Sequence, residues 1–246
     1  MKIVLFADQN VGLEIASFLL DNYPHDLVQV VTMGENDIFL KSLARNVPVY
    51  IFDTDEKLAK HLIEAQLDFG ILAWWPKIIK ASLLKLPKFG FINTHPSFLP
   101  YNRGKHYNFW AIVEEAPFGV SLHFVDEGID SGDVIAQSLI PYDWCDNGIS
   151  LYQKAQNAMV ELFCTNYPRL REGRFSRYPQ NLKCGSFHKA SELEMASHID
   201  LDAQYRGRDI INLLRAKTFP GYSGCWFEEN GIRYEIHIDI RRLQIE

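Results

Sequence analysis

Asn93, His95 and the loop carboxylates Asp126, Asp130 and Asp133 are the residues whose types and placement could carry out chemistry together. Asn93 and His95 stand two apart at the end of an apolar, extended segment, and side chains two apart on a strand share a face. An amide donor beside an imidazole can stabilise a developing oxyanion, and a nearby carboxylate can fix the imidazole's tautomer or move a proton. That combination suits acyl transfer without a protein nucleophile. Taken singly, an asparagine at a strand end forms turns and a lone histidine is most often a satisfied loop residue, so the weight rests on the joint pattern. Asp126 and Asp133 share the loop of Asp130, and any of the three could cap a turn instead. Ser97 lacks a G-x-S-x-G elbow and reads as a structural hydroxyl. The four cysteines and His95, His106 and His123 show no metal-ligand spacing, so no metal is expected.

The segments that must position these groups alternate between two patterns. Met1–Ala7, Leu27–Thr32, Val49–Ile51 and Phe69–Ala73 are short apolar runs of the kind buried on both faces of a parallel sheet. Between them, Gly12–Leu20, Asp37–Arg45 and Leu58–Gln66 have helical apolar spacing, the last preceded by a cap signal at Thr54-Asp55-Glu56. Repeated βα units predict an α/β fold, a Rossmann-like, open and mostly parallel sheet that binds ligands beyond the carboxyl ends of its strands. Phe89–Thr94, Gly119–Val125 and Asp133–Ile140 are further strands joined by long polar loops, and Ile149–Tyr167 is a long amphipathic helix closed by Pro168. An N-terminal catalytic domain, 1–178, is expected to precede a small C-terminal α+β module, 179–246. That module holds a helix at Gly207–Ala216 and a hairpin, Gly224–Glu228 and Ile232–Ile240, around Asn230-Gly231.

The chain has 246 residues, 47% of them apolar and 23% charged, which excludes disorder and coiled coil. No apolar run approaches the roughly 18 residues of a membrane helix, and the N-terminal apolar stretch is too short for a signal peptide, so a cytoplasmic protein without membrane contact is expected. Cys145, Cys164, Cys184 and Cys225 are scattered and read as reduced thiols. A net charge of −6 argues against a nucleic-acid partner, transfer RNA included. The loose basic stretch Arg169, Arg171, Arg174 and Arg177 reads as solvated surface. A small phosphorylated ligand needs only two or three cations and stays within reach.

The run Asn93-Thr94-His95-Pro96-Ser97-Phe98-Leu99-Pro100, followed by Asp126-Glu127-Gly128-Ile129-Asp130-Ser131-Gly132, resembles the folate-dependent formyltransferase family over roughly Ile71 to Ile140. The resemblance implies that Asn93, His95 and Asp130 are catalytic and that 10-formyltetrahydrofolate is the formyl donor, with Trp74, Ile78, Asp126 and Gly128 on its side of the site. Trp74-Trp75-Pro76-Lys77-Ile78-Ile79, the loop Leu99–His106 and the tail Leu214–Tyr222 resemble the sugar N-formyltransferases. They imply a nucleotide-linked amino deoxysugar as acceptor, with dTDP-4-amino-4,6-dideoxyglucose first among them and surface polysaccharide such as lipopolysaccharide O-antigen as destination. Gln9, Lys77, Trp75, Tyr101, Asn102, Arg103, Gly104, Lys105 and His106 are then the candidate acceptor-binding residues, the cations serving a diphosphate. Other amine acceptors, methionyl-tRNA or glycinamide ribonucleotide, fit less well: Phe6–Gly12 stands where the latter enzymes carry a glycine-rich phosphate loop, and the tail here is short and not basic. A non-catalytic folate or nucleotide-sugar binding protein would have no need of all three catalytic side chains, and a formate-releasing hydrolase would need no amine. Strict alternation of Ile232, Tyr234, Ile236, Ile238 and Ile240 leaves one apolar strand face in need of a cover, and a homodimer through the hairpin is expected.

Overall fold

The computed structural model describes residues 1–243. Its elements in chain order are β1 (Ile3–Ala7), α1 (Gln9–Asn22), β2 (Leu27–Thr32), α2 (Asp37–Ala44), β3 (Val49–Ile51), α3 (Asp55–Leu62), β4 (Phe69–Ala73), α4 (Ala81–Leu84), β5 (Phe91–His95), β6 (Arg103–Gly104), α5 (Tyr107–Val113), β7 (Gly119–Phe124), β8 (Val134–Leu139), α6 (Gly148–Arg171), β9 (Phe187–His188), α7 (Glu192–Ala196), α8 (Gly207–Lys217), β10 (Cys225–Glu229) and β11 (Ile232–Ile236). None of the described helices is long and apolar enough to cross a membrane. Two compact units result. The first comprises 1–95, 121–137 and 157–180, and the second 96–120, 138–156 and 181–246, so the last crossing falls between Gln180 and Asn181.

A seven-stranded sheet runs in the order β3-β2-β1-β4-β5-β7-β8. Its β3, β2, β1, β4 and β5 pair in parallel, and β5 pairs antiparallel with β7. The expected Rossmann-like, mostly parallel α/β sheet is therefore present. β1 and β4 are buried along their whole length, which is why their sequences are continuous apolar runs rather than alternating ones. On one face Val4, Phe6, Val31, Leu72 and Phe91 pack with Leu58, Leu62, Ile79 and Leu83. Phe91 is two residues before Asn93, so the same face of β5 is apolar at its base and polar at its carboxyl end.

α6 runs past Pro168 to Arg171, one turn beyond its expected end. Proline removes only its own N–H; its carbonyl still accepts from Glu172 N at 3.2 Å, while Arg171 Nε donates to the buried Asp26 carboxylate at 2.7 Å and anchors the extra turn. The hairpin of the second unit turns on Asn230 and Gly231, φ +53° and +74°, as Asn-Gly predicts. β11 stops at Ile236, not Ile240, because Ile236 pairs with Cys225, the first residue of β10, and no partner strand extends further. Ile238 N donates instead to Thr218 Oγ1 at 3.3 Å.

Candidate active site

In the first unit, Asn93 lies directly opposite His123 across the β5–β7 pair, and His95 opposite Ser121. Opposed residues of an antiparallel pair share a face, so the register alone brings the amide and the second imidazole together. Asn93 Nδ2 stands 3.4 Å from His123 Nε2. The loop after β7 then folds back and places Asp130 Oδ1 3.5 Å from His95 Nδ1 and 3.8 Å from His123 Nε2. One carboxylate oxygen thus faces both imidazoles, with the Asp130 side chain 16% exposed and His95 7%. The structure brings His95 and Asp130 together, with Asn93 joined to them through His123.

His123 is the member that reading the sequence missed. Its Nδ1 is 2.8 Å from the carbonyl of Phe124, an acceptor only, so Nδ1 carries the proton and Nε2 is the bare acceptor facing Asn93. Burial, and next the neighbouring His95, lower its pKa to about 4 and keep it neutral. The available signal was strand alternation: Ser121 and His123 are two apart on a strand that had to neighbour β5.

His95, His123 and Asp130 each turn one ligand atom inward, within 4.8 Å of one another.

Asp126 Oδ1 accepts from Gly128 N at 3.0 Å and Ser131 Oγ at 2.8 Å, closing the turn that leads to Asp130. Trp74 and Gln9 follow β4 and β1, the adjacent strands where the order reverses, the customary ligand crevice of such sheets. Both have left-handed φ, +57° and +52°, and Trp74 Nε1 donates to Gln9 Oε1 at 3.0 Å across that crevice. Asp130 is left-handed too, at +50°. Trp75 packs edge-on against Phe6 and Phe52, and its buried Nε1 has no acceptor among the described residues. Lys77 Nζ lies 5.5 Å from the centre of the Phe52 ring, and Ile78 is 81% exposed.

The other expected binding residues, Tyr101 to His106, belong to the second unit. Their backbone is stapled there: Arg103 N donates to the Ser186 carbonyl and Lys105 N to that of His188, each at 3.0 Å. Glu114 is the hub, taking Asn102 Nδ2 at 2.9 Å, Ser186 Oγ at 2.8 Å and His188 Nε2 at 2.8 Å, and Trp110 stacks on His188. Asn102 is 1% exposed, so its amide braces the loop. Arg103 Nε is buried with no acceptor among the described residues. His106 is held below its ordinary pKa by burial, then by Lys217 and Lys105. Gly104 completes the strand pair with Phe187–His188.

The chain is similar to known proteins in sequence and fold. The family described as Formyl transferase matches residues 48–166, and the N-formyltransferase dimerization C-terminal domain matches residues 192–242. A methionyl-tRNA formyltransferase of Trichodesmium erythraeum is 28% identical over 236 residues, 89% of this chain and 69% of that one. A dTDP-4-amino-4,6-dideoxyglucose formyltransferase of Mycobacterium tuberculosis is 27% identical over 136 residues, 55% of this chain and 58% of its own length. A 4-N formyltransferase from Francisella tularensis superposes with a TM-score of 0.82 at 27% identity, covering 98% of both chains. A formyltransferase from Anoxybacillus kamchatkensis, solved with UDP-4,6-dideoxy-4-formamido-L-AltNAc and tetrahydrofolate, superposes at 0.60 with 28% identity over 88% of this chain and 99% of that one. The chain belongs to the folate-dependent formyltransferase family.

Proposed function

We propose that the protein transfers the formyl group of 10-formyltetrahydrofolate to the amine of a nucleotide-linked amino deoxysugar, dTDP-4-amino-4,6-dideoxyglucose first among the candidates, for surface polysaccharide synthesis in the cytoplasm. The observation that carries this reading is the convergence of Asn93, His95 and Asp130 on one small volume. The acceptor nitrogen attacks the formyl carbon and the new C–N bond forms. Asn93 Nδ2–H and protonated His95 stabilise the oxyanion of the tetrahedral intermediate, while Asp130 takes the proton released by the attacking amine. Collapse breaks the bond to the folate nitrogen, which leaves with a proton returned from the His95–Asp130 pair. His123, neutral and acceptor-only at Nε2, orients the Asn93 amide. Arg103 and Lys105 bind the diphosphate.

The dTDP-sugar relative in Mycobacterium supports this acceptor, and the net charge of −6 speaks against transfer RNA although methionyl-tRNA formyltransferases are also similar. The decisive experiment incubates the enzyme with 10-formyltetrahydrofolate and a panel of nucleotide-linked amino sugars, methionyl-tRNA and glycinamide ribonucleotide, read by mass spectrometry. A formamido sugar is expected. Formylated methionyl-tRNA as the sole product would overturn the acceptor, and formate released without any amine would make the enzyme a hydrolase. Asn93→Ala and His95→Asn are each expected to lower turnover about 10²–10³-fold with the fold intact.

A further inference from the structure

Asp130 lies in a loop that is held partly by its own bonds and partly from outside. Within 125–133, Gly128 N and Ser131 Oγ both donate to Asp126 Oδ1, so the side-chain bond from Ser131 ties the loop across Asp130 while leaving the Asp130 and Gly132 carbonyls to other donors. Asp130 itself has φ +50°, a conformation an L-residue keeps only when its surroundings impose it. Beyond it the chain returns tightly on the strand it left: a Cβ on Gly132 would lie 2.0 Å from the carbonyl oxygen of Phe124.

One external hold comes from a side chain fifty positions away. Gln180 Nε2 donates to the carbonyl of Asp130 at 3.0 Å and to that of Gly132 at 2.7 Å. The two hydrogens of a single amide thus grip the carbonyls on either side of Ser131. Gln180 is delivered there by Tyr178, which exchanges both backbone bonds with Val134, the first residue of β8, at 2.9 Å each, and Pro179 fixes the φ between them. We propose that Gln180 is a positioning residue for Asp130, setting the backbone torsion that turns the carboxylate toward His95 and His123. The proposal rests on the reading of Asp130 as the proton acceptor.

The side-chain chemistry is narrow. Two donors at this reach need a glutamine amide: glutamate is acceptor-only when ionised and would set its charge against two carbonyl oxygens, methionine has the length without donors, and asparagine has the donors one methylene short. In the full-length enzyme, Gln180→Met and Gln180→Glu are compared with wild type for kcat, for KM of both substrates and for the pH profile, at a temperature where circular dichroism shows each variant folded. Turnover is expected to fall about tenfold or more with both KM values within about threefold, and the limb of the profile governed by Asp130 to shift. In an Asp130→Asn background, Gln180→Met is expected to cost less than about twofold further, because the group it positions is already gone. Turnover of Gln180→Met within about twofold of wild type overturns the proposal, as does a full cost that persists in the Asp130→Asn background. If one variant does not fold, the milder Gln180→Asn is read by the same two criteria. Asp130→Asn with wild-type turnover would remove the underlying reading itself, a result seen without touching Gln180.

Discussion

Asn93 Nδ2 and His123 Nε2 face each other at 3.4 Å across directly opposed positions of β5 and β7. Because the Phe124 carbonyl claims the Nδ1 proton, the bond has one polarity, from amide to imidazole. The Asn93 amide is therefore held with its nitrogen toward the site, the orientation in which its second N–H can meet an oxyanion. His123→Leu is expected to leave substrate KM values nearly unchanged and to reduce kcat by about 10-fold or more, since only the oriented donor is lost. A variant with full kcat would separate His123 from the chemistry.

His123 also links stability to pH. Burial lowers its folded pKa to about 4, whereas an unfolded chain titrates it near 6.5. Between these values the unfolded state binds the proton and the folded state does not, so this contribution is full above about pH 6.5 and is lost as pH falls toward about 4. Urea titrations at pH 7, 5.5 and 4.5 should show the wild type losing stability more steeply than His123→Gln, by up to one proton's worth of slope. Parallel slopes would contradict the assignment.

Asp130 and Asp126 part company in geometry. Asp130 Oδ1 faces two imidazoles, while Asp126 Oδ1 is engaged by Gly128 N and Ser131 Oγ within its own turn. Asp130→Asn is expected to lower turnover by about 10²–10⁴-fold at little cost in folding. Asp126→Asn should instead act on stability, on the order of 1 kcal/mol, through weakened turn bonds. Dead Asp126→Asn beside active Asp130→Asn would reverse the roles.

Arg103 has a buried Nε with no acceptor among the described residues, and its guanidinium lies 5.8 Å from the Phe187 ring, a cation placed without a carboxylate at its Nε. With Lys105 it is expected to meet the nucleotide's phosphates, each bond worth about 1.5–3 kcal/mol. Calorimetry with a nucleoside diphosphate should show Arg103→Ala and Lys105→Ala weakening binding about 10-fold or more. Lys77→Ala should matter less, its ammonium resting over Phe52. Affinities equal to wild type would move the phosphate site elsewhere.

What could be read in the sequence was what is local. The apolar runs of β1, β2 and β4 and the two-residue spacing of Asn93 and His95 are properties of contiguous residues, and the structure places them as that spacing requires. Strand alternation put His123 on a face with Ser121, but its role depends on the antiparallel register of β7 against β5, set across an intervening helix, α5. Asn102 sits in the informative motif, yet its amide bonds Glu114 and Ser186, a partnership created by the two-residue pairing of β6 with β9 that no periodicity announces. Gln180 lies far from the motif in sequence and acts through backbone carbonyls, which leave no mark on residue type.

The last expectation concerns the hairpin. Cys225, Phe227 and Glu229 oppose Ile236, Tyr234 and Ile232, so these six share one face of the two-stranded ribbon. Cys225 is fully buried, whereas Tyr234 stacks on Phe227 and is still 43% exposed, and Ile232 is 56% exposed. The other face is dressed differently: Arg233 lies 3.9 Å over the Trp226 ring and pairs with Glu194. An isolated two-stranded ribbon with an uncovered apolar face is marginal in water, and a second copy of the same face is the cover that symmetry supplies most readily. The match of residues 192–242 to a dimerization domain supports that cover. Light scattering at micromolar concentration is expected to give a dimer for the wild type and a monomer for Tyr234→Glu combined with Ile232→Glu, with the chemistry of the first unit retained. A wild-type monomer, or a dimer indifferent to both charges, would place the contact away from β10 and β11.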